Sequence, residues 1–155
     1  MQLNLGCGEK RLPDHVNIDL RPGPAVDVVA DCLRLPFADN SAEAVRAFDF
    51  LEHVANDRRI QIIEEIWRVL KDGGLFEHLT PSTDGRGAFQ DPTHLSFWNL
   101  NSWFYFCPSM VSGRRFYGIK AAFQPHKLED HKGNHGVVHT YGLMTAIKGE
   151  GAKTE

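Results

Sequence analysis

The sequence lacks the features that mark secreted, membrane-spanning and disulfide-rich proteins. Its three cysteines, Cys7, Cys32 and Cys107, are an odd number, lie far apart and form no CxxC pair. We therefore expect no disulfide framework and a reducing, cytoplasmic compartment. No stretch approaches the ~18 apolar residues of a membrane span. Met1 leads directly into an apolar run, so we expect neither a membrane association nor a signal peptide.

The chain also lacks a large charge of either sign. Its formal net charge of −3 at pH 7 argues against a broad phosphate-binding surface, which makes a nucleic acid the less favoured partner. Internal repeats and low-complexity linkers are absent from the sequence. Hydrophobic residues make up 42% of its 155 residues, so we expect one domain, residues 1–155, with its own core.

What the sequence does contain is a series of short apolar segments bounded by glycine, proline and aspartate. The first segment ends in Leu5-Gly6-Cys7-Gly8. Two glycines after a buried strand allow backbone N–H groups to face a ligand, although an ordinary turn has the same composition. The pattern predicts further strands at residues 16–20, 26–31, 44–48 and 74–79.

One amphipathic helix is predicted between the fourth and fifth strands. Asn56 or Asp57 would cap it, and Gly73 or Gly74 would end it. Its apolar residues at helical spacing are Ile60, Ile63, Ile66, Trp67 and Leu70. Residues 116–124 and 137–147 alternate as two strands, and we expect them to form an antiparallel hairpin at one edge of the sheet, joined by a loop around residues 130–134.

Strands that alternate with a helix indicate an α/β sheet, which binds its ligand at the carboxyl ends of the strands. The strand-end residues of this chain are Gly6 to Gly8, Asp19, Asp31, Phe48, Asp49 and the Pro81 loop. A carboxylate after the second strand is placed to bind ribose hydroxyls. Asp19, however, follows Gly8 by only eleven residues, against ~20 in dinucleotide-binding proteins, and Arg11 replaces the third glycine. A nucleoside ligand without phosphates therefore fits better than NAD.

The first connections are short for parallel strands. Gly6 to His15 is ten residues and Arg21 to Ala25 is five, whereas a crossover with its helix takes at least ~10–12. Either the helices after the first two strands have shrunk to turns, or the third strand does not pair in the usual way. Such a pocket would be open unless the aromatic segment or another subunit closed it, so a homodimer is a further expectation.

Five blocks of the sequence, in this order, resemble class I S-adenosylmethionine-dependent methyltransferases. They are residues 3–8, 17–19, 31–41, 51–54 and 67–74, and residues 81–87 and 91–94 resemble the minimal bacterial and phage members of that family. The resemblance implies a Rossmann-like class I methyltransferase sheet with reduced helices and a C-terminal antiparallel hairpin. Asn4 and Lys10 depart from the family's acidic residue and third glycine.

The resemblance also implies a role for individual residues. It implies that Leu5, Gly6, Cys7 and Gly8 bind the cofactor, with the glycine turn facing the methionine part of S-adenosylmethionine. Methyl transfer would convert this cofactor to S-adenosylhomocysteine. Asp19 would hold the ribose, and Asp31 with Cys32 would face the adenine. Phe48 and Asp49 would line the path to the sulfonium, with Asp91 and His94 near the transferred methyl group.

Methyl transfer requires mainly that donor and acceptor are held in line. A general base would add about 10²–10⁴-fold, and His94 is the candidate because histidine titrates near neutrality. Its alternative is a turn histidine bonded to backbone, and His53 is expected at a helix start or in the core. The (Asn/Asp)-Pro-Pro-(Tyr/Phe) motif of amino-methylating DNA enzymes is absent after the fourth strand, which favours a small-molecule acceptor.

Three further interpretations remain open at this point. The aromatic segment 97–106, in which Asn99 or Ser102 would start a short helix, is either a core element or a wall beside a substrate. The chain as a whole is an enzyme or a non-catalytic module that binds S-adenosylmethionine or S-adenosylhomocysteine. A metal protein built on His126, His131, His135 and His139 is disfavoured, because Gly133 and Gly136 oppose the helix that their spacing needs, so no metal is expected.

Overall fold

A computed structural model describes residues 1–149, which fold around a seven-stranded sheet. The strands are β1 (Gln2–Leu5), β2 (Val16–Asp19), β3 (Val28–Val29), β4 (Ala42–Phe48), β5 (Leu70–Pro81), β6 (Phe123–Lys132) and β7 (Val138–Ala146). Their order is β3-β2-β1-β4-β5-β7-β6. Strands β1 to β5 are parallel, whereas β7 is antiparallel to both β5 and β6. The predicted α/β sheet with its C-terminal hairpin is therefore confirmed, and the order reverses between β1 and β4.

Turns connect the first three strands. Residues 6–15 link β1 to β2, and β3 pairs with β2 through only Ile18↔Val28 and Asp19↔Val29. The first of the two alternatives for these short connections is thus correct, because the helices have shrunk while the pairing stays parallel. The connection is held by Asn17, which is fully buried and bonds to Leu12 and His15 of the turn.

The helices are short and follow β4. They are α1 (Arg59–Val69), α2 (Gly87–Gln90), α3 (Leu100–Phe104) and α4 (Val111–Tyr117), with 3₁₀ turns at Leu51–His53, Asn56–Arg58, Pro108–Met110 and Asn134–Gly136. The buried side of α1 consists of Ile62, Ile63, Ile66 and Val69. Ile60, which we expected in this stripe, is 39% exposed, and Ile62 takes its place on the buried side.

Helix α1 ends at Val69, earlier than predicted. Gly73 and Gly74 were expected to end it, but Leu70 is already extended and pairs with Ala42. The pairing then shifts to Ala44↔Leu75, so extra residues bulge out of β5, where Gly73 has a φ of 71°. A left-handed residue is what such a bulge requires. The glycines therefore mark an irregular strand and not the end of a helix.

The hairpin also differs from its predicted bounds. Phe116 and Tyr117 end α4, and β6 begins at Phe123 and runs through the expected loop to Lys132. The prediction of a strand over residues 116–124 was therefore wrong in most of its length. Strand β6 forms the sheet edge and is largely solvent-facing, so its sequence is polar and shows little of the alternation that marks a half-buried strand.

The aromatic segment contributes mainly to the core. Trp98 and Trp103 are buried and stack with ring centroids 4.8 Å apart, and Trp103 also stacks on His78 at 3.6 Å. Asn99 caps α3 through a reciprocal hydrogen-bonded pair with Ser102, so the helix starts at the first of the two predicted positions. All three cysteines lie in the described part of the chain and are free and buried. Among residues 1–149, the helices are all too short or too polar to cross a bilayer.

Candidate functional site

A cavity of about 610 Å³ lies where the strand order reverses, at the carboxyl ends of β1, β2 and β4. This is the position at which open α/β sheets bind ligands. Its lining residues are Gly6, Gly8, Asp19, Leu20, Arg21, Asp31, Cys32, Leu33, Asp49, Phe50, His53, Val54, Ala55, Arg58 and Ile62. The volume is within the usual range for small-molecule and cofactor sites, about 300–1,000 Å³.

The glycine turn after β1 forms one wall of the cavity. Gly6 and Gly8 have φ angles of 62° and 50°, a region that other residues adopt at a cost. A Cβ atom at Gly6 would also overlap the ring of Phe50, which packs against this turn. The N–H of Cys7 donates to the Ile18 carbonyl at 3.1 Å, which fixes the turn against β2. Glycine at position 6 is therefore required by both conformation and space.

Asp19 lies beside this turn at the end of β2. Its Oδ2 accepts a hydrogen bond from Gly8 N at 2.9 Å, and its Oδ1 accepts one from Arg21 N at 3.0 Å. Each oxygen of an ionised carboxylate has about two acceptor sites. Both Asp19 oxygens therefore keep an acceptor site for a ligand after they have fixed the surrounding backbone.

Asp31 and Cys32 form the next part of the wall. Asp31 is exposed, and its Oδ1 accepts a hydrogen bond from Leu33 N at 2.9 Å. Burial raises the pKa of the Cys32 thiol to about 12, so this cysteine is neutral at physiological pH. Cys32 therefore provides surface and backbone to the cavity and no thiolate nucleophile.

The structure brings six of the nine predicted cofactor residues to this cavity: Gly6, Gly8, Asp19, Asp31, Cys32 and Asp49. It does not bring the other three there. Leu5 is fully buried in the core. Cys7 and Phe48 border a second cavity of about 240 Å³, where the Arg46 guanidinium lies 3.8 Å from the Phe48 ring centroid.

A third cavity, of about 390 Å³, involves the aromatic segment. Tyr105, Phe106 and Trp98 line it together with Arg59 of α1. Residues 97–106 are not among those that line the 610 Å³ cavity. The segment therefore does not border the cofactor cavity, because Trp103 packs inward on β5 and Trp98 stacks on Trp103, and its role as a wall beside a substrate stays a prediction.

Beyond Asp49, the 3₁₀ turn Leu51–His53 is docked on the loop that holds the predicted catalytic residues. The carbonyl of Glu52 accepts hydrogen bonds from Leu95 N at 2.7 Å and Ser96 N at 3.0 Å. This contact places His94 next to His53, with ring centroids 5.1 Å apart. His53 lines the cavity, so His94 belongs to a group of side chains that begins at the cavity wall.

The hydrogen bonds of His94 agree in part with its alternative as a turn histidine. Its Nδ1 lies 3.0 Å from the Ala88 carbonyl, and its Nε2 lies 3.8 Å from Asp91 Oδ2. Asp91 Oδ1 accepts two hydrogen bonds from Thr93, and these lower the pKa of the Asp91 carboxyl. The ring is thus anchored through one nitrogen, which leaves the other for chemistry.

Glu52 carries the most strongly perturbed carboxyl beside the cavity. Its side chain is 2% exposed, and among residues 1–149 its Oε2 has no hydrogen-bond partner. Burial raises the pKa of this carboxyl to about 8. A buried polar atom without a partner costs free energy, and such atoms concentrate at functional sites.

Sequence reasoning missed Phe50 and Glu52, and of its two alternatives for His53 the position in the core was wrong. His53 is exposed on the 3₁₀ turn, not a core residue, and it lines the cavity. The rule that selected Phe48 and Asp49 stops at the strand end. Extending it by one turn along the chain would have included all three residues.

Comparison with known proteins finds a family match for the first part of the chain and a shared fold for the rest. Residues 3–77 match the family model described as a methyltransferase domain. A SAM-dependent methyltransferase from Methanosarcina mazei has a similar structure, with a TM-score of 0.63 and 13% identity over 94% of this chain and 92% of that one. No curated protein sequence matches the chain significantly.

Two further solved structures share this fold but are named for different reactions. The 1,6-didemethyltoxoflavin-N1-methyltransferase from Burkholderia thailandensis, solved with 1,6-didemethyltoxoflavin and S-adenosylhomocysteine, has a TM-score of 0.65 and 15% identity over 95% of this chain and 71% of that one. The [4+2]-cyclase SpnF has a TM-score of 0.64 and 17% identity over 96% of this chain and 74% of that one. Residues 3–77 thus match a methyltransferase family, and the chain has the fold of the S-adenosylmethionine-dependent methyltransferases. Its particular reaction must be argued from its own residues.

Proposed function

We propose that the chain, as a single domain of residues 1–155, binds S-adenosylmethionine in the 610 Å³ cavity and transfers its methyl group to a small molecule. The observation that carries this proposal is the meeting of the glycine turn, Asp19 and Asp31 on one cavity. These groups follow β1, β2 and β3, whose carboxyl ends the parallel sheet brings to one edge, where such sheets bind their ligands.

The residues present fit an adenosine-containing cofactor. Asp19 keeps free acceptor sites on both oxygens for the two ribose hydroxyls, as worked out above. The turn at Gly6 and Gly8 exposes backbone next to them without side chains. Asp31 supplies a second exposed acceptor for an amino group at the adenine end. We infer that Cys7 and Phe48 support the turn and the end of β4 from behind and do not contact the cofactor.

The chain's own part in the reaction is to position the cofactor and to accept a proton from the methyl acceptor. S-adenosylmethionine supplies a methyl group on a positively charged sulfur, which a nucleophilic acceptor attacks in line. Asp19 and the glycine turn hold the adenosine end. On the acceptor side, Nε2 of His94 is the nitrogen left to take the proton of a hydroxyl or amine, with Asp91 next to it.

A small molecule is the acceptor that the charge and the cavity favour. The net charge is −3, and the three carboxylates of the cavity wall outnumber its two guanidinium groups, which disfavours a phosphate backbone. The small-molecule substrate bound to the Burkholderia neighbour is a precedent on the same fold. A non-catalytic module that binds the cofactor is the second candidate, because the helices that would flank the cavity after β1 and β2 are reduced to turns.

The proposal extends to assembly and location. Leu20 at the cavity rim is 68% exposed, an apolar group that a second copy of the chain would cover. We propose that the protein dimerises over this rim, and sedimentation of the wild type against Leu20→Ser tests the assembly. We also propose a reducing, cytoplasmic location, which three free, buried cysteines suit.

Calorimetry with S-adenosylhomocysteine tests the cofactor site. We expect Asp19→Ala to weaken binding by about 10–100-fold, because it removes the acceptors of two hydrogen bonds at about 1–1.5 kcal/mol each. Asp57→Ala is the matched control, since this aspartate is exposed on the neighbouring 3₁₀ turn outside the cavity. Equal affinity in both variants, with unchanged circular dichroism, would remove Asp19 from the site.

Methyl transfer measured with a panel of hydroxyl and amine acceptors distinguishes an enzyme from a module that only binds the cofactor. His94→Ala should bind S-adenosylhomocysteine as the wild type does and lose most of its methyl transfer, and His126→Ala should lose none. Wild-type protein that binds the cofactor but methylates no member of the panel would favour the non-catalytic role.

A further inference from the structure

We propose that Glu52, His53 and His94 form a binding site for a divalent transition-metal ion beside the cofactor cavity. One potential ligand atom from each side chain lies within 4.8 Å of those of the other two. The cluster combines two imidazoles with one carboxylate, a donor set that typically binds metals of the zinc, iron and cobalt class. Cofactor binding and methyl transfer do not by themselves require such a set.

Both histidines are oriented as metal ligands usually are. His53 Nδ1 lies 3.2 Å from the Thr93 carbonyl, and His94 Nδ1 lies 3.0 Å from the Ala88 carbonyl. A backbone carbonyl at Nδ1 holds the proton on that nitrogen and leaves the lone pair on Nε2. The His94 side chain is also only 7% exposed, so its orientation is set by packing and not by chance at a mobile surface.

Glu52 provides the second, independent observation. Its Oε2 is buried and has no partner among residues 1–149. An isolated carboxylate in such a place is costly, and a cation is the partner that offsets the loss of water. Asp91 Oδ2, 3.8 Å from His94 Nε2, adds a second carboxylate at the edge of the cluster.

The donor set indicates which ions would bind. Magnesium and calcium prefer oxygen ligands, whereas imidazole nitrogen suits zinc, cobalt, nickel and iron. Three protein ligands leave at least one coordination position open. The site therefore resembles a reactive centre in its ligand count more than a closed structural one.

The position of the cluster gives the ion a role that rests on the proposed function. His53 borders the cofactor cavity, so an acceptor hydroxyl bound to the open position would lie next to that cavity. A bound metal ion lowers the pKa of a coordinated hydroxyl, which makes it a better nucleophile at neutral pH. With the ion bound, Nε2 of His94 would be a ligand, so the coordinated hydroxyl would release its proton to solvent, its oxygen would bond to the methyl carbon, and S-adenosylhomocysteine would leave as the carbon–sulfur bond breaks. The role of His94 as the base proposed above would then apply only to the protein without the ion. Metal binding itself does not depend on the methyl-transfer proposal.

A second pair of histidines would compete for the added zinc, so this pair is disrupted before the test. His131 and His139 face each other across β6 and β7, and His131 Nε2 lies 2.7 Å from Glu129 Oε1. This exposed group could bind zinc at the surface. The experiment therefore uses the full chain without an affinity tag and with His131→Ala as its background.

Zinc is titrated into this protein by calorimetry, and cobalt is titrated with detection of its visible absorption bands. We expect one ion per chain, and a tenfold or larger loss of zinc affinity in each of Glu52→Gln, His53→Ala and His94→Ala. His126→Ala is the matched control on β6 and should bind as the background does. His53 is exposed, so its variant keeps the test valid if the buried Glu52→Gln folds poorly.

Stoichiometric binding that survives all three substitutions, or the absence of binding at 100 µM zinc, would overturn the site. S-adenosylhomocysteine binding measured on the same samples separates the two proposals. Loss of the metal site with intact cofactor binding contradicts only this inference, whereas zinc binding without cofactor binding contradicts only the proposed function.

Discussion

The two halves of the molecule are stabilised in different ways. Residues 1–58 contain four short parallel strands joined by turns, and their connections are held by polar side chains. Residues 59–149 contain α1 and the long strands β5 to β7, and they are held by buried aromatic rings. The cofactor cavity belongs almost entirely to the first half, with Ile62 as its contribution from the second.

Asn17 shows how the first half replaces a helix. Its Oδ1 accepts hydrogen bonds from Leu12 N and Asn4 Nδ2, and its Nδ2 donates to the carbonyls of Leu12 and His15 and to Asp27 Oδ2. One buried amide therefore satisfies backbone groups that a crossover helix would satisfy internally. A fully bonded polar network of this kind also specifies one conformation, which a ligand-binding turn needs.

Trp103 plays the equivalent part in the second half. It is fully buried and stacks on Trp98 and His78, and Phe76 and Phe106 lie at its edges. Stability here comes from apolar area and ring packing, which hold a platform that lines none of the cofactor cavity. The comparison indicates that the site half depends on directional hydrogen bonds and the other half on burial.

The largest expected effect follows from breaking the aromatic half. Trp103→Ala should lower the free energy of unfolding by about 3–5 kcal/mol, because it leaves a cavity between rings that cannot collapse onto one another. Urea denaturation measures this loss, and Phe116→Ala is the control, since Phe116 is 83% exposed. A loss below about 1 kcal/mol for Trp103→Ala would show that this cluster does not stabilise the platform.

The next effect follows from breaking the polar half. Asn17→Ala should cost about 2–3 kcal/mol, because buried donors and acceptors of the β1–β2 connection lose their partner. It should also weaken S-adenosylhomocysteine binding, since the same connection carries Gly8. Asn101→Ala, at an exposed position of α3, is the control. Unchanged cofactor affinity in a destabilised Asn17→Ala variant would separate the network from the site.

The sequence predicted the fold well where signals are local. Glycine, proline and aspartate mark the ends of the parallel strands. The short connections left two alternatives, of which turns in place of helices is the correct one. The misses have physical causes that no local pattern carries. Gly73 serves a bulge in β5 and not a helix end, and β6 is a polar edge strand whose pairing with β7 overrides its weak alternation.

The candidate site was likewise predictable where its residues directly follow a strand. The strand-end rule located Gly6, Gly8, Asp19, Asp31 and Asp49, because the carboxyl ends of parallel strands meet at one edge. The same rule extended by one turn reaches Glu52, but the burial of its carboxyl could not be predicted, because Glu52 is docked on residues 95 and 96, which lie far along the chain. Side chains brought together by such a contact leave no periodicity in the sequence.

The smallest expected effect is a pH dependence of the free energy of unfolding. It tests whether a charged carboxylate takes part in the hydrogen-bond network of residues 1–58. Hydrogen bonds from the backbone and side chain of Asn17, together with Arg11, lower the pKa of Asp27 to about 2. The folded state thus favours the ionised carboxyl. This contribution to stability is complete above the ordinary aspartate pKa of about 3.9, and it is lost as the pH falls towards 2.

Asp27→Asn lacks this titration, so it should be less stable than the wild type at pH 6, and the difference should shrink steadily between pH 4 and pH 2.5. Urea midpoints of both proteins across that range measure the difference. Asp57→Asn, on an exposed aspartate outside the network, should show no such pH dependence relative to the wild type. A difference between wild type and Asp27→Asn that stays constant down to pH 2.5 would mean that Asn17 and Arg11 do not hold a charged Asp27, and the first half would then owe its order to its turns alone.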